Sequence, residues 1–488
     1  MKSASKILNK VKEILHFSTD FKVREVQFFD TQLFIVYIAP LTDNNLLNES
    51  VIKPLVEFDE KIEGNVCAFI KEQVLANNEV KWQDDINQFV TELLKGRAGI
   101  IVDGSGKLLT CDVEKIVVRP IQEPPSSAVI KGPREGFNES IKYNLSLIRK
   151  KLPTPNLVID TFSVGKYTTT QVAVVYLQDI ADKNVVKEIE RRISKIDIDG
   201  IVDSYYISVY LQSKPNSIFK QVGDTEKPDI LVSKMLEGRV GIVVDGSPIV
   251  LTLPFILIED LQESDDYYSQ PVKVTFLRIL RLIGVVLAVL LPGTYVAIQL
   301  YHYKILPTEF LITIMDTTQG IPFTPFTEVL FIVLLFEILY EANLHMPQYM
   351  GMALSIVGAL ILGETAVNAG LVSPPAVMIV ALSGLTFYVV PNQASQFSLL
   401  RILYVFVGAT LGLFGILAFS VWVVSYLSSF DSYESAYLAP TAPYIKGDMK
   451  DFLFKAPLDK MKTRPEAIAN NKRNRTRQKW KCHTDKRQ

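Results

Sequence analysis

The stretch LKGRAGIIVDGS, residues 94–105, returns as LEGRVGIVVDGS at residues 236–247, an offset of 142 positions with nine of twelve residues identical. Upstream, Val36-Tyr37-Ile38 followed by Thr42-Asp43 is echoed by Val175-Tyr176-Leu177 followed by Ala181-Asp182, at an offset of 139. One folding unit is used twice. Each copy reads as an amphipathic helix, strands such as Gln32 to Ala39 or Gln171 to Leu177, another helix, and a terminal strand running into Asp-Gly-Ser, the pattern of a mixed α/β subdomain. The expected units are residues 1–120 and 140–270. Residues 121–139 join them as a linker, because QEPPSSAVIKGPREGFNES (122–140) is rich in Pro, Gly and Ser.

The repeated Gly-Arg-x-Gly-Ile-x-Val-Asp-Gly-Ser lacks the Gly-Lys-Ser/Thr ending and the helix N-terminus of a phosphate loop. A buried strand entering a tight Asp-Gly turn accounts for the same residues. Arg97 and Arg239 are then expected to pair with carboxylates of their own subdomains. No nucleophile with an adjacent base and no paired-carboxylate motif stands out in this half, so no catalytic residue is nominated and no enzyme is expected. The first 15 residues alternate lysines with Ile7, Leu8, Val11, Ile14 and Leu15 at helical spacing and have no apolar core with a cleavage site. They do not read as a secretory signal, and the first 270 residues are expected to stay in the cytoplasm.

Composition bounds the rest. Of 488 residues, 51 are Lys or Arg and 52 Asp or Glu, a formal charge of −1, which excludes a globally basic nucleic-acid binder. With 21% charged and 10% aromatic residues the chain is not disordered. Cys67, Cys111 and Cys482 share no short spacing, and His16, His302, His345 and His483 form no cluster, so neither a disulfide framework nor a metal site is expected, and no cofactor is implied.

Beyond residue 270 the composition changes. Apolar segments run at about 279–301, 326–344, 348–369, 371–390 and 397–427, and about 20 apolar residues span a bilayer as a helix. The fold class is therefore a duplicated α/β (α+β) soluble N-terminal domain followed by an α-helical polytopic membrane domain at 271–430, with a basic tail at 431–488. Lys273, Arg278 and Arg281 before the first segment, and Lys446, Lys450 and Lys455 after the last, place both ends on the cytoplasmic side. Both ends on one side demand an even number of crossings, hence four spans plus an odd, acidic second segment.

That second segment carries Glu328, Glu337 and Glu341. Glu337, Glu341 and His345 share one helical stripe, which suits an interfacial or re-entrant helix, a helix lining a wet cavity, or a plain amphipathic connector. From Ile305 to Leu400 no Lys or Arg occurs, yet Glu309, Asp316, Glu328, Glu337, Glu341 and Glu364 do. A cavity built from this stretch would favour cations, although spans in general lack Lys and Arg. Glu364, between apolar segments, must be neutral, paired or wet. It is the first candidate for an ion pathway, with Glu337 and Glu341. Gly351, Ser355, Ala359 and Gly363 recur every fourth residue, and Gly408 and Gly412 do the same, a spacing that lets helix backbones pack closely within or between subunits.

A resemblance adds to this reading. IKGPREGFNES (130–140), with Pro133, Arg134, Glu135, Gly136 and Phe137, and NLSLIR (144–149) resemble the A subunit of bacterial spore germinant receptors, the GerA family. So do EGRVGIVVDGSP (237–248), with Gly238, Arg239, Asp245 and Gly246, together with GIPF (320–323), FEIL (336–339), GETAV (363–367), AGLVSP (369–374) and Arg464-Pro465. The resemblance implies an integral protein of the spore inner membrane that works with B and C subunits, with the nutrient bound mainly by B. It also implies an oligomer, with a pentamer as the expected form, that acts as a nutrient-gated cation channel and starts germination. Where the family usually reads Arg-Glu-Ala-Gly-x-Arg-x-Pro, this chain has YEANLHMP (340–347), which replaces two arginines and a glycine.

The tail from Lys472 to Arg487 holds eight basic residues against Asp485. It would bind anionic lipid at about 1 kcal/mol per basic residue, contact another subunit or nucleic acid, or stay solvated. No nucleic-acid partner is expected for the chain as a whole. The competing readings are a non-conducting scaffold that clusters receptor partners and a secondary transporter. The transporter should show repeats within its spans, and the repeat found here lies only in the N-terminal half.

Overall fold

The computed structural model describes residues 4–29, 31–58, 66–75, 79–115, 132–345, 363–472 and 474–475. The quoted repeat lies at the centre of each α/β copy. A helix ends at its start (Ile86–Leu93 in one copy, Pro228–Glu237 in the other), and a glycine with positive φ, Gly96 at +92° and Gly238 at +114°, turns the chain out of the helix. The strand that follows is buried at every position.

In the first copy the strands are β1 (Phe21–Phe28), β2 (Thr31–Ile38), β3 (Val80–Gln83), β4 (Ala98–Val102) and β5 (Leu108–Cys111), in sheet order β1-β2-β4-β5-β3. The second copy repeats that order with β6 (Leu157–Val164), β7 (Thr170–Leu177), β8 (Gly223–Thr225), β9 (Val240–Val244) and β10 (Val250–Leu253), as β6-β7-β9-β10-β8. Neighbouring strands in both sheets are antiparallel. The strand expected to be terminal is instead central, because the Asp-Gly-Ser turn leads into β5 or β10. Those four-residue strands are too short to show a period in the sequence.

Both faces of each sheet are covered. In β2, Leu33 and Ile35 pack with Val51, Leu55 and Ile70 on one side, while Phe34 and Val36 meet Ile7, Val11 and Phe89 on the other. In β7 the same alternation sends Val172 and Val174 to Ile189 and Ile207, and Ala173 and Val175 to Ile148 and Leu231. Period-two alternation with both faces apolar gives the unbroken apolar strands seen in the sequence.

The Asp of the repeat has a second use. Asp103 Oδ1 accepts the backbone N–H of Ala4 (2.8 Å) at the start of helix Ala4–Ile14, and Asp245 Oδ1 accepts that of Ile141 (3.0 Å) at the start of helix Ile141–Lys151. Each copy thus caps its first helix with a carboxylate about a hundred residues downstream. A carboxylate at these helix N-termini occupies the position a phosphate would need.

The copies are clipped together by Arg149 and Asp20. The guanidinium donates to both carboxylate oxygens (Nε to Oδ2 2.8 Å, Nη2 to Oδ1 2.9 Å) with both side chains buried. Ser18 and Thr19 beside Asp20 continue the joint onto β6, where Thr19 N–H donates to Ile159 O at 2.9 Å.

Among the described residues four longer helices follow: an opening helix (Pro271–Tyr301), an acidic helix (Pro325–His345), a short apolar helix (Pro374–Thr386) and a closing helical stretch (Ala394–Ser428), with a smaller helix at Thr308–Thr318. By length and composition, two described stretches could cross a membrane, Pro271–Tyr301 and Pro391–Ser428. The closing stretch, expected as one span, is a hairpin. Gly412 leaves helical geometry (φ 64°, ψ −155°), Tyr404 Oη lies 3.0 Å from Ser420 Oγ, and the Tyr404 and Phe419 rings are 4.9 Å apart. Sixteen residues of straight helix would hold such groups about 24 Å apart. The two legs, 394–411 and 413–428, each reach about 24 to 27 Å.

The hairpin returns the chain to the end at which the bundle begins. Both its feet lie near the α/β half: Gln393 donates to Asp260, and Ser429 Oγ accepts from Lys214 Nζ at 2.6 Å. Its tip meets the far end of the opening helix, where Tyr301 Oη donates to Ala409 O at 2.7 Å. The chain therefore enters and leaves this bundle at one end.

The flanking arginines used above to orient the chain are structural. Arg278 is buried and paired with Asp266 (3.0 Å) and Asp451 (2.9 Å), and Arg281 pairs with Asp266 (2.8 Å). Within the stretch expected as a basic tail, residues 431–475 pack back onto the second α/β copy. Tyr433 Oη donates to Leu211 O (2.8 Å), Arg464 Nε to Leu236 O (2.6 Å), and Asn471 N–H to Ile180 O (2.8 Å). Most of the strongly basic part, 476–488, lies outside the described residues, as do 121–131 of the expected linker.

Candidate functional site

The carboxylates proposed for an ion pathway divide into different roles. Glu337, midway along the acidic helix, accepts from Nη2 of Arg401 on the outbound leg of the hairpin. Arg401 is 1% exposed, its Nη1 donates to Ser383 Oγ (3.3 Å), and Ser383 Oγ donates to Ala288 O (2.7 Å). One polar cluster thus ties together the opening helix, the acidic helix, the short helix and the hairpin. Glu337, expected on an ion pathway drawn from a stretch without Lys or Arg, instead has a cationic partner. Its partner is the first basic residue beyond the Lys/Arg-free stretch, brought back by the fold.

Glu328, one helical face away and 1% exposed, accepts the backbone N–H of Ser373 at the start of the short apolar helix. Ser373 Oγ in turn accepts from Ala376 N–H, so that helix begins against a carboxylate, which its dipole favours.

Glu364 is placed differently. Its neighbour Gly363 lies among Phe331, Ile332, Leu335, Phe336 and Leu339, the middle of the acidic helix, yet the Glu364 side chain is exposed on the surface of the single chain. Glu341 is also exposed, one turn past Glu337. Glu337 is joined to Arg401, and among the described residues no contact brings Glu337 and Glu364 together.

The packing candidates differ as well. A Cβ on Gly408 would collide with the carbonyl of Gly293, and Gly293 faces the Tyr404 backbone, so the hairpin and the opening helix cross at backbone contact. Gly412 is the hairpin turn itself. Gly363 has nothing among the described residues within 4 Å of where its Cβ would sit. Gly351, Ser355 and Ala359 lie outside the described residues.

The motif residues of the α/β half hold structure. Phe137 is buried and its N–H donates to Glu226 O (2.8 Å), while Glu135 pairs with Lys151 (2.8 Å). Pro133, Arg134 and Gly136 carry the chain between these anchors. Asn144 brackets Asn138 with two bonds, 2.9 and 2.6 Å. Gly246 N–H donates to Glu139 O (2.7 Å). Arg97 pairs with Glu92 and Glu79, both at 2.8 Å, and Arg239 with Glu259, each inside its own copy as expected. Burial alone would raise the Glu259 carboxyl, but Arg239 and Lys234 overrule it and hold it at about 2.

Sequence reasoning missed Arg149, Arg401 and Asp266. For Arg401 the signal was available, since a lone arginine in an apolar helix needs a partner. For Arg149 and Asp266 the partners lie 129 and 12 residues away with no shared spacing. Among the described residues, no group of three or more His, Cys, Asp or Glu is arranged to hold a metal.

Comparison with known proteins agrees over nearly the whole length. Residues 9–467 match the family described as Bacillus/Clostridium GerA spore germination protein. Spore germination protein KA of Bacillus subtilis (strain 168) is 36% identical over 473 residues, covering 96% of this chain and 87% of that protein. The uncharacterized membrane protein YfkQ of the same organism is 32% identical over 435 residues, covering 88% of this chain and 84% of that protein. The crystal structure of the N-terminal domain of the A subunit of the Bacillus megaterium spore germinant receptor GerK3 is similar at 29% identity and a TM-score of 0.41, covering 51% of this chain and 94% of that one. The chain carrying this duplicated α/β half and apolar helical bundle belongs to the GerA family of spore germination proteins.

Proposed function

We propose that this protein is the A-type subunit of a nutrient germinant receptor in the spore inner membrane, where copies of it enclose a cation path. One observation carries the reading. Glu364 is exposed at the mid-depth of the apolar bundle, on the outside of the single chain. A carboxylate facing lipid there costs about 3 kcal/mol per copy, and the cost disappears if that face is turned to water shared between copies. The 96 residues from 305 to 400 bring no Lys or Arg to that face, so the shared path would favour cations.

The hairpin supports the membrane reading. It lets the helical bundle begin and end beside the α/β half, so that half and residues 431–472 lie on one side of the membrane, taken here as the cytoplasmic side. The receptor acts by binding and gating, without catalysis. The B and C subunits complete it, and the nutrient binds on B. Nutrient affinity that differs between closed and open arrangements sets the bias.

The test is disulfide cross-linking of Glu364→Cys in native membranes, together with the size of the purified assembly. The reading expects 364-to-364 cross-links and a homo-oligomer. A chain that runs as a single copy and forms no such cross-link contradicts it. A non-conducting scaffold is the second reading, favoured by Glu337 and Glu328 having structural partners. It expects cross-links to partner subunits only.

A further inference from the structure

A cavity of about 590 Å³ opens at the far end of the bundle, between the end of the opening helix, helix Thr308–Thr318 and the start of the acidic helix. Leu311, Met315 and Phe323 make part of its wall apolar, and Tyr303 adds an aromatic ring. At its polar side stand Gln299 and Glu328. Neither belongs to the mid-depth carboxylate face.

The polar groups are unbalanced. Gln299 spends its amide N–H on Tyr295 Oη (2.8 Å), which leaves its Oε1 buried with no hydrogen-bond partner. Glu328 is 1% exposed, and among the described residues it accepts from one backbone N–H, that of Ser373. No Lys or Arg is among the described residues that line the cavity. Glu328 is met by one backbone N–H and a helix N-terminus, and beside it the Gln299 amide oxygen has no donor, so the site has acceptor capacity that a cationic donor would fill.

We infer that this cavity binds a primary ammonium group with an apolar body. An ammonium offers three donors, enough for Glu328 and Gln299 together. The Tyr303 and Phe323 rings suit a cation near the mouth, and the apolar wall suits the attached chain. Two sources carry this chemistry: a free amine, or the ethanolamine headgroup of a lipid. The inference does not depend on the conduit. It would survive a non-conducting chain.

The experiment measures binding of n-butylammonium and of 1-butanol to the full-length chain in lipid nanodiscs by calorimetry. The expected result is that n-butylammonium binds at least tenfold more tightly than 1-butanol, that Glu328→Gln abolishes this preference, and that Gln299→Leu weakens ammonium binding severalfold without lowering the melting temperature. Since Glu328 also meets a helix N-terminus, the Gln299→Leu variant and the pair of probes decide the matter if Glu328→Gln fails to fold. In phosphatidylglycerol nanodiscs, equal binding of the two probes, no binding of either, or unchanged ammonium binding in Gln299→Leu overturns the inference. Nanodiscs of phosphatidylethanolamine and of phosphatidylglycerol separate the sources. A headgroup occupant blocks n-butylammonium only in the former, and a free-amine site binds it in both.

Discussion

The guanidinium of Arg401 and the carboxylate of Glu337 form an ion pair inside the apolar bundle, with the Phe387 ring 4.4 Å from the guanidinium carbon. Removing one partner leaves a buried charge. Glu337→Ala should therefore cost about 3 to 5 kcal/mol, seen as a lower melting temperature of the purified protein. Replacing both, Glu337→Leu with Arg401→Met, should recover most of that loss. A double variant no more stable than the single one would show that the pair is not what holds the acidic helix to the hairpin.

Arg149 and Asp20 make the corresponding joint between the α/β copies, with side-chain exposures of 0% and 3%. Asp20→Ala should destabilise the joint by about 3 to 5 kcal/mol. Limited proteolysis of the full chain should then cut between the copies faster than in wild type, while cleavage within each sheet stays slow.

The two glycine sites should respond oppositely. At Gly408 an added methyl meets the Gly293 carbonyl, so Gly408→Ala should force the hairpin from the opening helix and cost about 1 to 3 kcal/mol. Gly363→Ala meets nothing among the described residues and should leave thermal stability unchanged. If Gly363→Ala nonetheless reduces assembly, that glycine packs against another copy.

Much of this was legible in the residues. The repeat announced two copies because Gly, Asp and the apolar strand each serve a local need that recurs with the fold. The paired arginines of the repeat followed from the cost of burying an unpaired charge. The hairpin was not legible, since an 18-residue leg, a glycine and a 16-residue leg read as one long apolar run and helical periodicity carries no sign of a reversal. Arg401 and Glu337, 64 residues apart, could be matched only once the fold had brought their helices together.

Acid should loosen the junction built on Glu259. Its carboxyl is held at about 2 against an ordinary 4.5, so its contribution is fully present above about 4.5 and is lost as pH falls toward 2. The wild-type melting temperature should drop over that window. Glu259→Gln should be less stable at neutral pH and lose part of that drop. An identical acid profile in the variant would assign the pH dependence to other carboxylates.

The most direct test of the account is the ion selectivity of the receptor reconstituted in planar bilayers with its partner subunits, comparing wild type with Glu364→Gln and Glu364→Lys. A shared path lined by this residue predicts nutrient-dependent cation current, reduced severalfold by the Gln variant and shifted toward anions by the Lys variant. Unaltered conductance and selectivity in both variants would contradict it.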